Sequence, residues 1–255
     1  FFCIARRIYF CTSFVKLENI DLLKKDFRED KAMALFLGAG CDLTWEYPEG
    51  ERYDHLRERE AIESNLLNWY NLLKELTENA CVSKEDTIAI NGLSSNSLKA
   101  AILKSKLGDS YIPVIQSWLY SHCNRKVLSD SYKYFKEYQE TPSVDSLKRV
   151  PFSTLFVLAD IILRQDSIRA VFTQNYNNFL SETIRILLKE DKKDGNNSYG
   201  LRQDCEPIDV YDGWNDTPFN NKSIMIYHVH GYIPSPSEMM PKKEMYVDIG
   251  ADSEE

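Results

Sequence analysis

Three short apolar runs in the chain each end at glycine or at polar side chains. They read KAMALFLGAG, SIRAVFTQN and SIMIYHVHG. Continuous apolar runs of this length, bounded by turn-forming or polar residues, are typical of buried strands. The pattern therefore predicts three buried strands that end near Gly38, Thr173 and Gly231.

Amphipathic segments lie between these runs. In the longest of them, apolar residues recur at helical spacing from Ile62 to Leu76. Two polar, proline- or glycine-containing stretches, residues 141–151 and 191–222, are predicted to be loops. The predicted helices cover residues 17–30, 58–80, 95–107, 111–122, 127–139 and 153–165, with a further helix after Asn178.

The first 15 residues are apolar but are interrupted by Arg6 and Arg7. The apolar run after Arg7 is too short to cross a bilayer, so we expect a buried strand rather than a membrane segment.

Strands that end in polar turns and then lead into helices predict an α/β fold. We expect a Rossmann-like, mostly parallel sheet with helices on both faces, formed by one domain over residues 1–255. Residues 58–140 would form a helical insert. Open sheets of this kind bind ligands at the carboxyl ends of their strands, which is where the three polar segments would lie.

Charge and cysteine content narrow the class of protein. Lys and Arg number 31 against 39 Asp and Glu, which gives a net charge of -8, and no basic run is present that would bind nucleic acid directly. The six cysteines are scattered singly, without the clusters that a disulfide scaffold or structural zinc requires. We predict a cytoplasmic protein without a membrane segment.

The first candidate site is Gly38-Ala39-Gly40. Small residues at a strand end allow backbone amides to approach a diphosphate, although an ordinary tight turn has the same composition.

The second candidate is the segment from Thr173 to Asn177, which would present side-chain amides at the carboxyl edge of the sheet. Helix capping by Asn177 or Asn178 explains part of this cluster but not Gln174 and Asn175.

The third candidate is the pair His228 and His230, which lie two residues apart and would share one face of a strand. Gly231 opens the exit turn and would expose His230, whereas His228 could equally be a core histidine bonded to backbone carbonyls. A metal would need a third ligand from His55, His122 or a distant carboxylate, and no motif supports one, so we expect no metal.

Taken in order, FLGAGC, FTQNYNNFL and YHVHGYIP resemble the motifs of the sirtuin superfamily. These forms are most similar to the sirtuin-like NAD hydrolase domains of bacterial antiphage defence proteins, and the resemblance covers residues 32–250. Deacetylase sirtuins carry a four-cysteine zinc module after the catalytic histidine, but this chain has no cysteine beyond Cys205.

The resemblance implies NAD as substrate and assigns roles to individual residues. Asn175 and His230 would be catalytic, with Asn175 orienting the ribose and attacking water and His230 acting as a base near the ribose hydroxyls. Two positions depart from the family, which usually has Ser where this chain has Asp42 and Asp where it has Asn177. The residues expected to contact NAD are Gly38, Ala39, Gly40, Asp42, Thr173, Gln174 and Gly231.

The function implied is that of an NAD glycohydrolase that releases nicotinamide and ADP-ribose as the effector of an abortive-infection system. Such an effector must be silent until triggered, so we expect a homo-oligomer, a regulatory domain or a partner protein. We also expect the NAD-binding domain to be incomplete at its carboxyl end. The alternatives are a non-catalytic module that senses NAD or ADP-ribose, and a sirtuin-type protein deacylase.

Overall fold

A computed structural model describes residues 10–11, 33–38, 69–79, 82–210 and 222–236. Its described strands form one sheet in the order β1-β2-β3-β5-β4, and each neighbouring pair is parallel. The strands are β1 (Phe10–Cys11), β2 (Met33–Leu37), β3 (Ile168–Thr173), β4 (Glu206–Val210) and β5 (Ser223–His228). The predicted Rossmann-like α/β fold with a parallel sheet is confirmed.

The connection from β2 to β3 contains seven of the eight described α-helices. They are α1 (Trp69–Thr77), α2 (Lys84–Asn91), α3 (Asn96–Leu107), α4 (Tyr111–His122), α5 (Arg125–Glu140), α6 (Val144–Lys148) and α7 (Ser153–Arg164). A final helix, α8 (Phe179–Lys193), follows β3 directly. Among the described residues, no helix is both long enough and apolar enough to cross a membrane.

Side-chain caps explain where several of these helices begin. Ser95 accepts from the Leu98 amide at the start of α3, and Asn124 accepts from the Lys126 and Val127 amides at the start of α5. These amides have no partner within the helix, so each cap stabilises a helix start by about 1 kcal/mol.

The hydrophobic core includes the contact between α7 and α8 beside the sheet and continues into the helices between β2 and β3. Leu155 and Ile162 of α7, Ile184 of α8 and Val171 of β3 are fully buried in it. The apolar face of each helix recurs at helical spacing, which is why the sequence predicted both helices to within a few residues.

Two elements lie in segments predicted to be loops. Helix α6 begins with a capping box between Ser143 and Ser146 inside the proline-containing stretch. Strand β4 lies inside the polar segment 191–222, at the edge of the sheet beside β5. Its sequence, EPIDV, is too short and too polar to produce a clear alternation, and Pro207 is tolerated because the described sheet ends at β4.

Several expectations fall outside the described residues. These are the helix over 17–30, the first part of the helix over 58–80, most of the strand in residues 1–15, and the positions Ala39, Gly40, Asp42 and His55.

Candidate active site at the carboxyl edge of the sheet

The three candidate segments leave neighbouring strands at the same level. Leu37, Thr173 and His228 are aligned across β2, β3 and β5. The alignment continues one residue further, because the Gln174 amide donates to Leu37 O and the Val229 amide donates to Thr173 O, each at 3.0 Å. Segments far apart in sequence therefore emerge side by side at the carboxyl edge.

One residue before the strand ends, a ladder of stacked aromatic rings holds β2, β3 and β5 in the same alignment. The rings of Phe36 and Phe172 stack at 4.8 Å between centroids, and those of Phe172 and Tyr227 stack at 4.9 Å. All three side chains are half-buried. Because side chains alternate along a strand, the ladder lies on the face opposite Leu37, Thr173 and His228.

Gly38 and Gln174 lie beside each other at the first two strand exits. A Cβ built on Gly38 would have Gln174 Oε1 as its nearest described atom, at 3.8 Å. The Gln174 residue is exposed. The exposed amide of Gln174 and the backbone of Gly38 can thus contact one ligand.

Asn175 is held at its main chain by two side chains. Its amide donates to Thr173 Oγ1 at 3.1 Å, and its carbonyl oxygen accepts from His228 Nδ1 at 2.8 Å. Only 7 % of the residue is exposed. The Thr173 hydroxyl thus shapes the turn, whereas the resemblance assigned Thr173 to NAD binding.

Asn177 caps the start of helix α8. Its Oδ1 accepts from the Phe179 amide at 3.1 Å, whereas Asn178, at the N-cap position, makes no side-chain cap bond. The predicted capping role therefore belongs to Asn177, a role that both Asn and Asp can fill.

The two histidines differ in position and burial. Strand β5 ends at His228, so the expectation that both histidines share one strand face does not apply. His228 is 5 % exposed and is bonded through both ring nitrogens, as expected of a core histidine. His230 lies in the following turn and is half-buried. Gly231, at φ 103°, adopts a conformation that favours glycine.

A buried polar chain runs from His228 toward α8. His228 Nε2 lies 2.9 Å from Asp209 Oδ1 of β4, and the Ser181 hydroxyl lies 2.7 Å from Asp209 Oδ2. The carboxylate, not the imidazole, is next to the serine. This order differs from a hydrolase triad, in which histidine must take the serine proton.

Cys123 and Cys205 do not have the environment of a nucleophile. Cys123 is fully buried, and burial raises the pKa of the Cys205 thiol. Among the described residues, no group of three or more His, Cys, Asp or Glu side chains could hold a metal ion.

Helix α4 contacts two of the strand exits through one hydroxyl. Tyr120 donates to Ile233 O at 2.7 Å, and its oxygen lies 3.4 Å from the Asn178 amide and 3.1 Å from Asn178 Oδ1. In addition, Gln116 Nε2 donates to Pro234 O at 2.8 Å. The helical insert thereby holds the segments that follow β3 and β5.

A cavity of about 630 Å³ adjoins these segments, between the starts of α5 and α8. Arg125, Lys126 and Arg185 line it together with Glu182. The Glu182 carboxylate lies 3.5 Å from the guanidinium of Arg125 and 2.7 Å from that of Arg185. Because it is one anion among three cations, the charge of these four side chains is net positive. The volume is within the usual range of ligand pockets.

The sequence did not identify Asp209, Ser181 or Tyr120 as parts of this site. Asp209 lies in the strand that the sequence predicted as loop, and the other two occupy helices whose apolar pattern gave no reason to single out one hydroxyl. An acidic residue between Ile208 and Val210 was the one available signal for Asp209.

No protein-family model, curated protein or solved structure matches the chain. The likeness to sirtuins consequently depends on the three motifs quoted above.

Proposed function

We propose that the protein is an NAD glycohydrolase that cleaves the bond between nicotinamide and ribose. The observation that carries the proposal is the alignment of Leu37, Thr173 and His228, which brings the glycine, amide and histidine segments to one edge. Nucleotides bind at this edge in open parallel sheets.

Different residues at this edge are suited to contact different parts of NAD. Gly38 has no side chain, so a diphosphate can approach its backbone beside Gln174, whose Oε1 lies 3.8 Å from a built Cβ. The exposed amide of Gln174 can bond ribose hydroxyls. Gly231 permits the turn that carries His230 away from the strand.

Cleavage passes through a ribose cation, so the protein must chiefly position water and stabilise charge. Asn175 is suited to positioning because its main chain is bonded at both the amide and the carbonyl. His230, half-buried in its turn, can act as a general base toward a ribose hydroxyl or water.

The resemblance further favours an effector of abortive infection, in which infection triggers NAD depletion. Before infection, oligomerisation, a further domain or a partner protein would keep the enzyme inactive. The contacts of α4 with Asn178 after β3 and with Ile233 after β5 offer a route by which such control could reach the site.

The test is the release of nicotinamide and ADP-ribose from NAD by the wild-type protein and by two variants. We expect Asn175→Ala and His230→Ala each to lower turnover by at least about 100-fold, the lower range for loss of a positioned polar or acid-base group. Thermal unfolding should show that both variants remain folded.

Asn91→Ala and His122→Ala are matched controls, because each removes the same side-chain type at the last residue of a helix and not at a strand exit. They should retain wild-type turnover. Undiminished turnover in Asn175→Ala or His230→Ala would contradict the assigned roles. ADP-ribose binding by a protein that never releases nicotinamide would instead identify a sensing module.

A further inference from the structure

His228 is bonded to two groups that both normally accept hydrogen bonds. Its Nδ1 is 2.8 Å from the Asn175 carbonyl oxygen, and its Nε2 is 2.9 Å from a carboxylate oxygen of Asp209. The side chain is 1 % exposed, so water cannot replace either partner. Burial of this kind is favourable only when each polar atom is paired.

The partner of Nδ1 determines that this nitrogen carries a proton. A carbonyl oxygen can only accept, so Nδ1 must donate to Asn175. The second proton lies between Nε2 and Asp209 Oδ1, on one atom or the other. The bond to Asn175 is the same in both cases, so His228 holds that carbonyl whichever atom carries the shared proton.

Asp209 is itself held in place from α8. The Ser181 hydroxyl is 2.7 Å from Oδ2 and 2.9 Å from Asn178 O, and it has one proton to donate. The shorter distance favours donation to Asp209. Arg185 Nη2 lies 4.0 Å from the same carboxylate and adds positive charge on that side.

We propose that His228 is a positioning residue, because its Nδ1 bond holds the main chain of Asn175 so that the Asn175 side chain addresses the ribose. The inference rests on the proposed function for its effect on turnover. His228 itself touches no substrate and transfers no proton in the reaction. Its contribution is to fix the Asn175 carbonyl while Thr173 fixes the amide.

Two substitutions separate the two bonds of the ring. The amide nitrogen of Asn can replace Nδ1, so His228→Asn can keep the donor to the Asn175 carbonyl and lose the contact with Asp209. The amide of Gln reaches the place of Nε2, so His228→Gln can keep the contact with Asp209 and lose the donor to Asn175. Both changes remove the buried ring.

We expect His228→Gln to lower kcat by about 10- to 100-fold, as misplacement of a reacting group does, with KM changed by less than about threefold. His228→Asn should retain kcat within about threefold of wild type. A structural role alone would lower activity in proportion to the loss of stability, which urea denaturation of both variants measures.

Asp209→Asn supplies a second test that preserves the ring. Its amide can donate to Nε2 while the Ser181 hydroxyl donates to its oxygen, so Nδ1 can keep the proton that it donates to Asn175. We expect this variant to keep kcat within about threefold, since the Nδ1 bond that positions Asn175 is unchanged. A loss as large as that of His228→Gln would overturn the proposal.

Hydrogen exchange separates failure of this inference from failure of the proposed function. We expect residues 174–178 to exchange faster in His228→Gln than in His228→Asn or Asp209→Asn, whether or not the protein cleaves NAD. A wild-type protein without NAD cleavage would refute the glycohydrolase proposal alone. Equal exchange in all three variants would refute the positioning role alone.

Discussion

Gly38 and Gly231 are both in the candidate site but place different demands on the backbone. Gly38 has no φ in the left-handed region, and a Cβ built on it would be in ordinary contact with Gln174 Oε1 at 3.8 Å, whereas Gly231 has φ 103°. We expect Gly38→Ala to change stability by less than about 0.5 kcal/mol and to weaken ADP-ribose binding about tenfold, because a methyl group would occupy the approach to the backbone.

Gly231→Ala should instead destabilise the fold by about 1–3 kcal/mol, since an alanine there is strained. Urea denaturation and calorimetric titration of both variants with ADP-ribose measure the two effects. Tight binding retained in Gly38→Ala would place the diphosphate elsewhere.

Sequence reasoning at this scale predicted the position of a residue where that position follows from its neighbours along the chain. Gly38, Gln174 and Asn175 each come just after a strand, and the sequence alone shows this. The environment of His228 depends on Asp209, 19 residues away and on another strand. The sequence left His228 open between core and site because such a pairing requires the fold to be known.

Helix α4 is the element through which the insert reaches the sheet edge. The Tyr120 hydroxyl has one proton, and the shorter of its two acceptor distances, 2.7 Å, is to Ile233 O. We expect Tyr120→Phe to destabilise the protein by about 1–2 kcal/mol through loss of this buried bond. Exchange should also become faster in the segments around Asn178 and Ile233.

Tyr134→Phe on α5 is the matched control, because it removes a hydroxyl from a half-buried tyrosine outside the site. Hydrogen exchange and urea denaturation of the two variants give the comparison. Equal effects in both would mean that α4 does not hold the strand exits.

Several of the longer helices were predicted well, and the short strand β4 was not. Helices α3, α4 and α7 match their predicted ranges closely. Strand β4 was missed because five residues with a glutamate, a proline and an aspartate contain little apolar alternation. Pairing with β5, and not local propensity, makes this segment a strand.

For the whole molecule, ligand binding should appear as added stability. A ligand that binds only the folded protein adds about 2.7 kcal/mol at 100 times its Kd. For a protein of this size, each kcal/mol raises Tm by about 2–4 °C, so saturating ADP-ribose should raise Tm by roughly 5–10 °C. Scanning calorimetry with and without ADP-ribose measures the shift, with adenosine as a control that lacks the diphosphate. An unchanged Tm would argue against any nucleotide site.

The class of fold was the part of the whole that the sequence predicted best. Strands ending in polar turns and separated by helices have few arrangements other than a parallel sheet. The strand order was beyond sequence reasoning, because β5 lies between β3 and β4 although it follows both in the chain.

The aromatic ladder of Phe36, Phe172 and Tyr227 has a consequence for redesign of the protein. A shift of one residue in any of these strands would turn its ring to the other face and break the stacking. The ladder therefore keeps the carboxyl ends of the three strands at the same level of the sheet. The loops beyond the ladder can therefore be exchanged without moving their starting points. A library that varies only those loops would search for new ligands on an unchanged scaffold.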